Sequence, residues 1–216
     1  MTEVWNSMQV RRQGSNRTGS LGGFFTFGGS DIYGISNNHV LANFNNCSVG
    51  DPICKTGSST IIGTLQYWVK LNSVKNFLDI ALFKLTPDIT PYWDIEGNVA
   101  YPGGIRKGFH GEEIYMMRNN GNVRKGMITQ VTVSEAITFT FSGNQYPFKS
   151  LTEIQPLDGQ PFSIEGESGS LIFSENHDVL GVLMGTLVDG SKSYYVPFVN
   201  GKVGINTIYN LQVWHP

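Results

Sequence analysis

The sequence predicts an all-β protein, a barrel or sandwich of many short strands. Three observations carry that prediction. Glycine accounts for 26 of 216 residues, aromatics for 12% and charged residues for only 15%, where an average chain has about 7% Gly and about 25% charge. Short runs alternate apolar and polar residues and are rich in β-branched and aromatic types. Clusters of Gly, Asn, Asp and Pro break those runs into pieces of strand length. A helical bundle would carry far more Glu, Lys, Arg and Ala, and a disordered chain far fewer aromatics, so both are excluded.

In chain order, strands are expected at residues 22–27, 32–36, 61–69 and 79–85 in the first half. In the second half they are expected at 113–117, 127–134, 137–141, 151–154, 170–173, 179–186 and 194–198. Gly28-Gly29, Asp51-Pro52, Asn119-Asn120-Gly121, Ser142-Gly143-Asn144 and Asp189-Gly190 supply turns between them. Helix is expected only as a turn at 39–43 and a short C-terminal segment at 205–213. The segment 90–107, rich in Pro and Gly and without clean alternation, is the expected boundary between the halves. A chain of this length buries a sizeable core without disulfides or metal.

Net charge is −2, so there is no basic surplus to neutralise phosphates and nucleic acid is not expected as a partner. No apolar run is long enough to span a membrane, and the first twelve residues lack the apolar core of a secretory signal. A soluble, cytoplasmic protein is therefore expected. Cys47 and Cys54 are the only cysteines; seven apart, they make no Cys₄ zinc site, and in a reducing cytosol both thiols should be free. His110, His177 and His215 are scattered, so no metal site and no cofactor are expected. Glu165 and Glu167 flank Gly166 but lack any second element of a glycosidase pair. Trp5, Trp68, Trp93 and Trp214 read as core or cleft fillers, and Asp189 as a hairpin tip.

Three short motifs carry chemistry. In Ile35-Ser36-Asn37-Asn38-His39-Val40-Leu41-Ala42 a strand runs into a histidine and a helical turn. In Leu78-Asp79-Ile80-Ala81-Leu82 an aspartate opens an otherwise apolar strand. In Gly166-Glu167-Ser168-Gly169-Ser170 a serine sits in a glycine-flanked turn before a buried strand. Acyl transfer by a serine needs a base for its proton, a third group to orient that base, and N–H donors for the oxyanion. His39, Asp79 and Ser168 supply the first set, and the N–H groups of Gly166 and Ser168 are spaced to supply the second.

With these residues the chain resembles trypsin-like serine peptidases of the chymotrypsin fold. His39 stands where that family has Ala-Ala-His-Cys, Asp79 where it has Asp-Ile-Ala-Leu, and Ser168 where it has Gly-Asp-Ser-Gly-Gly. The order and the long separations, 40 residues and then 89, also match. The likeness is greatest to intracellular bacterial and plant members with an Asn-Asn-His-Val-Leu-Ala segment followed by Gly-Asp-Pro, here Gly50-Asp51-Pro52. It implies two six-stranded antiparallel β-barrels with the active site in the cleft between them. Residues 1–20 would be an extension, 21–98 the barrel holding His39 and Asp79, and 99–216 the barrel holding Ser168.

The implied activity is a serine endopeptidase acting on a protein or peptide substrate, and possible roles include regulated cleavage of one intracellular partner in defence or signalling. The rival reading is a protein-binding module of the same fold with little or no activity. The chain departs from the family at Glu167, where secreted members have an Asp that pairs with a freshly cut terminus, and at Ser170 and Val40. By resemblance Phe162 lies at the base of the primary substrate pocket beside Ser163, with Met184, Gly185 and Thr186 as its wall. None of these is an acid, so the pocket is expected to take an uncharged side chain, small or medium in size.

Overall fold

Runs of β-branched and aromatic residues cut short by turn formers become short strands, and their order of pairing decides what the turns bring together. The structure, a computed structural model, describes residues 2–216. The first half holds β1 (Thr2–Trp5), β2 (Gln9–Arg12), β3 (Gly19–Ser20), β4 (Gly23–Thr26), β5 (Tyr33–Ser36), α1 (Asn38–Leu41), β6 (Pro52–Lys55), β7 (Ile61–Trp68), β8 (Ala81–Leu85) and β9 (Ile89–Tyr92). The second half holds β10 (Glu113–Met117), β11 (Val123–Gln130), β12 (Ile137–Phe141), β13 (Asn144–Phe148), β14 (Thr152–Pro156), β15 (Leu171–Ser174), β16 (Val179–Thr186), β17 (Ser193–Pro197), α2 (Ile205–Tyr209) and β18 (Gln212–Val213).

Strands β10-β11-β14-β17-β16-β15 close into a six-stranded barrel. Its interior is filled by Ile114, Ile128, Ile154, Phe162, Leu180 and Tyr195, all essentially without exposed surface. The first half forms a curled eight-stranded sheet in the order β18-β4-β5-β8-β7-β6-β2-β3. Its core of Phe24, Ile35, Leu65 and Phe83 is continuous with apolar residues of the second half, and Phe25 stacks on Phe198 with ring centroids 5.2 Å apart. Each such fully buried aromatic contributes on the order of 2–3 kcal/mol by removal from water. The chain thus has the chymotrypsin-like double-barrel fold. Among the described residues no helix is long and apolar enough to cross a membrane.

Two boundaries need correction. Residues 1–20 are not an extension preceding a first strand near Leu21: β2 pairs with both β3 and β6, and Val4, Met8 and Val10 are buried. The run Gln9-Val10-Arg11-Arg12 hides one small residue among polar ones, a signal too weak to read as a strand. At the other end, β18 pairs with β4 (Val213↔Phe25), so the tail of the 99–216 segment returns to the first sheet. The helix expected over 205–213 stops at Tyr209 because Asn210 takes a left-handed conformation (φ 47°) that ends the turn.

The hairpin β12–β13 stands apart from both sheets. Its base is tied down by Asn76, whose N–H donates to the carbonyl of Pro147 (2.8 Å) and whose carbonyl accepts from Lys149 N–H (2.9 Å).

Candidate active site

Strand register explains why His39 meets Asp79. β5 and β8 are antiparallel neighbours with Ser36 opposite Ala81, so the chain leaving β5 toward His39 lies beside the chain entering β8 from Asp79. Asn37 and Asn38 then use their side chains across the gap rather than as helix caps: Asn37 Nδ2 donates to Asp79 O (2.7 Å) and Asn38 Nδ2 to Val69 O (2.7 Å). His39 N–H donates to Asp79 Oδ1 (3.1 Å), and the ring Nδ1 lies 2.5 Å from Asp79 Oδ2. Asp79 has no exposed surface and His39 only 6%. A carboxylate only accepts, so Nδ1 carries the proton and Nε2 of the neutral ring presents a lone pair.

Ser168 comes from the other half, three residues before β15. The Ser168 carbonyl accepts the N–H of Ser20 (2.7 Å), which joins the Ser168 turn to β3. That junction needs Gly19, where an added Cβ would lie 2.7 Å from Ser168 O and 2.5 Å from Val40 Cγ2. The turn itself needs Gly166, whose φ of +89° is unfavourable for a side-chain-bearing residue. The N–H of Glu167 donates to Ile164 O, that of Gly169 to Leu183 O and that of Ser170 to Glu167 O. Among the described residues no acceptor takes the N–H of Gly166 or Ser168. Ser168 Oγ donates to Met184 O (3.0 Å) rather than to His39. Met184 sits where the β16–β17 register shifts between Leu183 and Gly185, a bulge in the ladder.

His39, Gly166 and Ser168 line one cleft of about 1140 Å³ between the two halves. Ser163, Gly185 and Thr186 also line it, with Met184 contributing main chain. Phe162 does not: its side chain is fully buried inside the second barrel, so the expectation that it floors the pocket is corrected. The large apolar ring is worth more in the barrel core than against water, and Ser163, beside it in the irregular segment between β14 and β15, lines the cleft in its place. There Ser163 Oγ bonds Thr186 Oγ1, which donates to Ser163 O (3.1 Å) and meets Ser193 Oγ (2.7 Å). Behind this hydroxyl chain, burial alone would raise the Glu153 carboxyl, but hydrogen bonds from Lys192, Thr129 and Tyr194 outweigh it and hold it below its usual range. Burial and the adjacent Glu153 push the Tyr194 hydroxyl up to about 12, so it stays a donor. Glu165 is exposed on the cleft rim and Asp189 sits exposed in its turn, as expected. Cys47 and Cys54 are not bonded to each other, and burial pushes both thiols up.

Two features have no signal in the motifs. Arg118, just past β10, pairs its Nε with Glu167 Oε1, while Glu167 Oε2 accepts the N–H of Ile164 (2.9 Å). The acid before Ser168 is therefore neutralised by a guanidinium from within the fold. The second feature is the β12–β13 hairpin. Phe141 lies face to face on the His39 ring (centroids 4.6 Å apart, planes at 21°), and Phe44 stacks on Tyr146 at 5.0 Å. Phe139 covers Gly185, where an added Cβ would lie 3.1 Å from its ring. At the hairpin tip Ser142 bonds Arg17, whose guanidinium sits 4.6 Å from the Phe44 ring centroid. The alternating Phe139 and Phe141 were a readable sign of an apolar hairpin face, but nothing local says what that face covers.

The sequence matches no family model and no curated relative. Its fold is similar to that of several solved proteases. Thermobifida fusca protease A is 16% identical over 99% of this chain and 100% of that one, with a TM-score of 0.66. The Nocardiopsis protease is 15% identical over 99% and 100%, with a TM-score of 0.68. A glutamic acid specific serine protease that uses a histidine triad in substrate binding is 16% identical over 98% and 100%, with a TM-score of 0.70. At such identities the likeness establishes the shared double-barrel fold.

Proposed function

We propose that the chain is a serine endopeptidase that cleaves a protein substrate through an acyl-enzyme. The observation that carries this reading is the buried His39–Asp79 pair facing, across one cleft, a serine flanked by two unengaged N–H groups. Ser168 leaves the Met184 carbonyl by rotation about χ1 and gives its proton to His39 Nε2 as Oγ bonds to the scissile carbonyl carbon. The carbonyl oxygen takes the negative charge and is held by Gly166 N–H and Ser168 N–H. Asp79 stabilises the imidazolium, which then protonates the leaving amine as the C–N bond breaks. Water repeats the sequence in place of Ser168 and releases the acid. The hydroxyl-lined, uncharged pocket favours a small or medium uncharged side chain before the scissile bond, and the free thiols suit a reducing compartment, where cleavage of one intracellular partner is the assigned role.

A second reading, a protein-binding module of this fold, is favoured by the Ser168–Met184 hydrogen bond and by the Phe141 ring over His39. A fluorophosphonate probe separates the two. Labelling of wild-type protein at Ser168, absent in Ser168→Ala and His39→Ala, supports the peptidase; folded wild-type protein that stays unlabelled supports the binding module.

A further inference from the structure

A second cavity, of about 290 Å³, opens between the Val69–Leu78 stretch and the 202–208 segment, from which Lys202, Val203 and, on α2, Ile208 line it. Its apolar side is made by Phe77, Leu78 and Ile208, and its mouth carries Lys70, Lys75 and Lys202. Among the described residues no Asp or Glu lines it. Among the described residues none of these three lysines holds a carboxylate, whereas Lys84, Lys125 and Lys192 each do. In a chain of net charge −2 this concentrates three unneutralised positive charges around one apolar opening. Ile208 is 58% exposed on the wall, and Val74, in the same loop as Lys75, is 81% exposed.

We propose that this cavity docks an acidic peptide segment of a protein partner, inserting one large apolar side chain and laying carboxylates against Lys70, Lys75 and Lys202. Size and charge select that occupant. The volume falls at the lower end of ligand cavities, which suits one anchoring side chain better than a whole drug-sized molecule. Lysines on the rim hold charge outside the cavity, where the neighbours of an anchor residue in an extended peptide would lie. A nucleic acid would need successive aromatic faces for its bases, whereas Phe77, with Lys75 Nζ 4.6 Å from its ring centroid on one face, is the one aromatic among the described lining residues. The loop is set in advance: Asn72 Oδ1 accepts the N–H groups of Val74 (2.9 Å) and Lys75 (2.7 Å), and Asn76 Nδ2 donates to Asn72 O (2.7 Å). Binding therefore loses little loop entropy. Nothing in the site requires catalysis by Ser168.

The test is fluorescence anisotropy with a labelled peptide, Asp-Glu-Asp-Phe-Asp-Glu, on the full chain. Wild type and Ser168→Ala should bind it equally, so that failure of the peptidase reading leaves this result untouched. Lys70→Glu/Lys202→Glu should weaken binding about tenfold or more, Lys70→Ala/Lys202→Ala less, and Lys107→Glu not at all. Ile208→Asp, or Ala for Phe in the peptide, should weaken it severalfold, and added salt should do so progressively. Absence of binding to wild-type protein overturns the proposal, as does binding indifferent to the lysine reversals. Lysine-dependent binding to phosphatidylserine vesicles that the peptide does not displace would overturn it in favour of a membrane surface.

Discussion

The two halves of the candidate active site are built by opposite means. On the first sheet, His39 and Asp79 are locked: the ring and the main chain of one residue both bond the same buried carboxylate, and Asn37 fixes the Asp79 main chain as well. On the second barrel, Ser168 sits in a turn held from outside, by Arg118 through Glu167 and by Ser20 through the Ser168 carbonyl, with its hydroxyl turned to Met184 and two N–H groups unengaged. In the proposed mechanism His39 is fixed in advance, where a wrong tautomer would be fatal, and Ser168 keeps the one degree of freedom it needs to change partners. A buried Asp can be rigid at no catalytic loss; a serine that must donate a proton and then form a bond cannot.

The largest effect expected is at the nucleophile. Ser168→Ala should leave the fold intact and remove turnover by about 10⁴–10⁶, measured as peptide hydrolysis beside an unchanged melting curve. Asp79→Asn should cost roughly 10⁴, because the amide can donate to Nδ1 and stabilise the wrong tautomer. Retention of a tenth of the activity in Ser168→Ala would remove Ser168 as the nucleophile, and in Asp79→Asn it would break the locked-base picture.

The outside support of the nucleophile turn is tested next. Arg118→Leu leaves the Glu167 carboxylate buried without its cation and should destabilise by about 3–5 kcal/mol in denaturant unfolding. The double variant Arg118→Leu/Glu167→Leu should recover most of that stability, since no charge is then stranded, but not the activity, since Ile164 N–H loses its acceptor. Full recovery of activity in the double variant would reduce Arg118 to a structural residue.

A smaller effect is expected from the aromatic cover. Phe141→Ala uncovers one face of His39, and hydrolysis of peptides with a bulky residue second before the scissile bond should rise severalfold relative to those with Gly there. An unchanged ratio would mean that the hairpin lies outside the substrate path. The smallest effect concerns Glu153. Its folded carboxyl is held low, so its contribution to stability is present above the unfolded value of about 4.3 and is lost as pH falls through the lower folded value. The melting temperature of wild type should exceed that of Glu153→Gln above pH 5, and the gap should close as the pH is brought below 4. A gap that stays constant down to low pH would show that the Lys192 and Tyr194 bonds to Glu153 do not depend on its charge.

What could be read from the sequence was whatever is written locally. Alternation and turn residues marked β10, β12 and β16 with their observed ends, because a strand buried on one face imposes period two on its own residues. The three motifs were legible because the groups that acyl transfer would need come with particular neighbours within a few positions. Among the described residues the strands that escaped are β1, β2, β3, β6, β9, β13 and β18; none is longer than five residues, β2, β6, β9 and β13 carry arginine or proline, and each is a strand only because a neighbour pairs with it. Phe162 and Ser163 show the limit at a single step: the resemblance placed both at the pocket, and packing drew the ring into the barrel and left the hydroxyl to the cleft. Arg118 meeting Glu167 across 49 residues, Phe141 covering His39 across 102 and three lysines gathered from two distant segments are decided only by tertiary structure. Such pairings have no local signature, because the energy that forms them comes from burial and charge neutralisation between surfaces that exist only once both halves have folded.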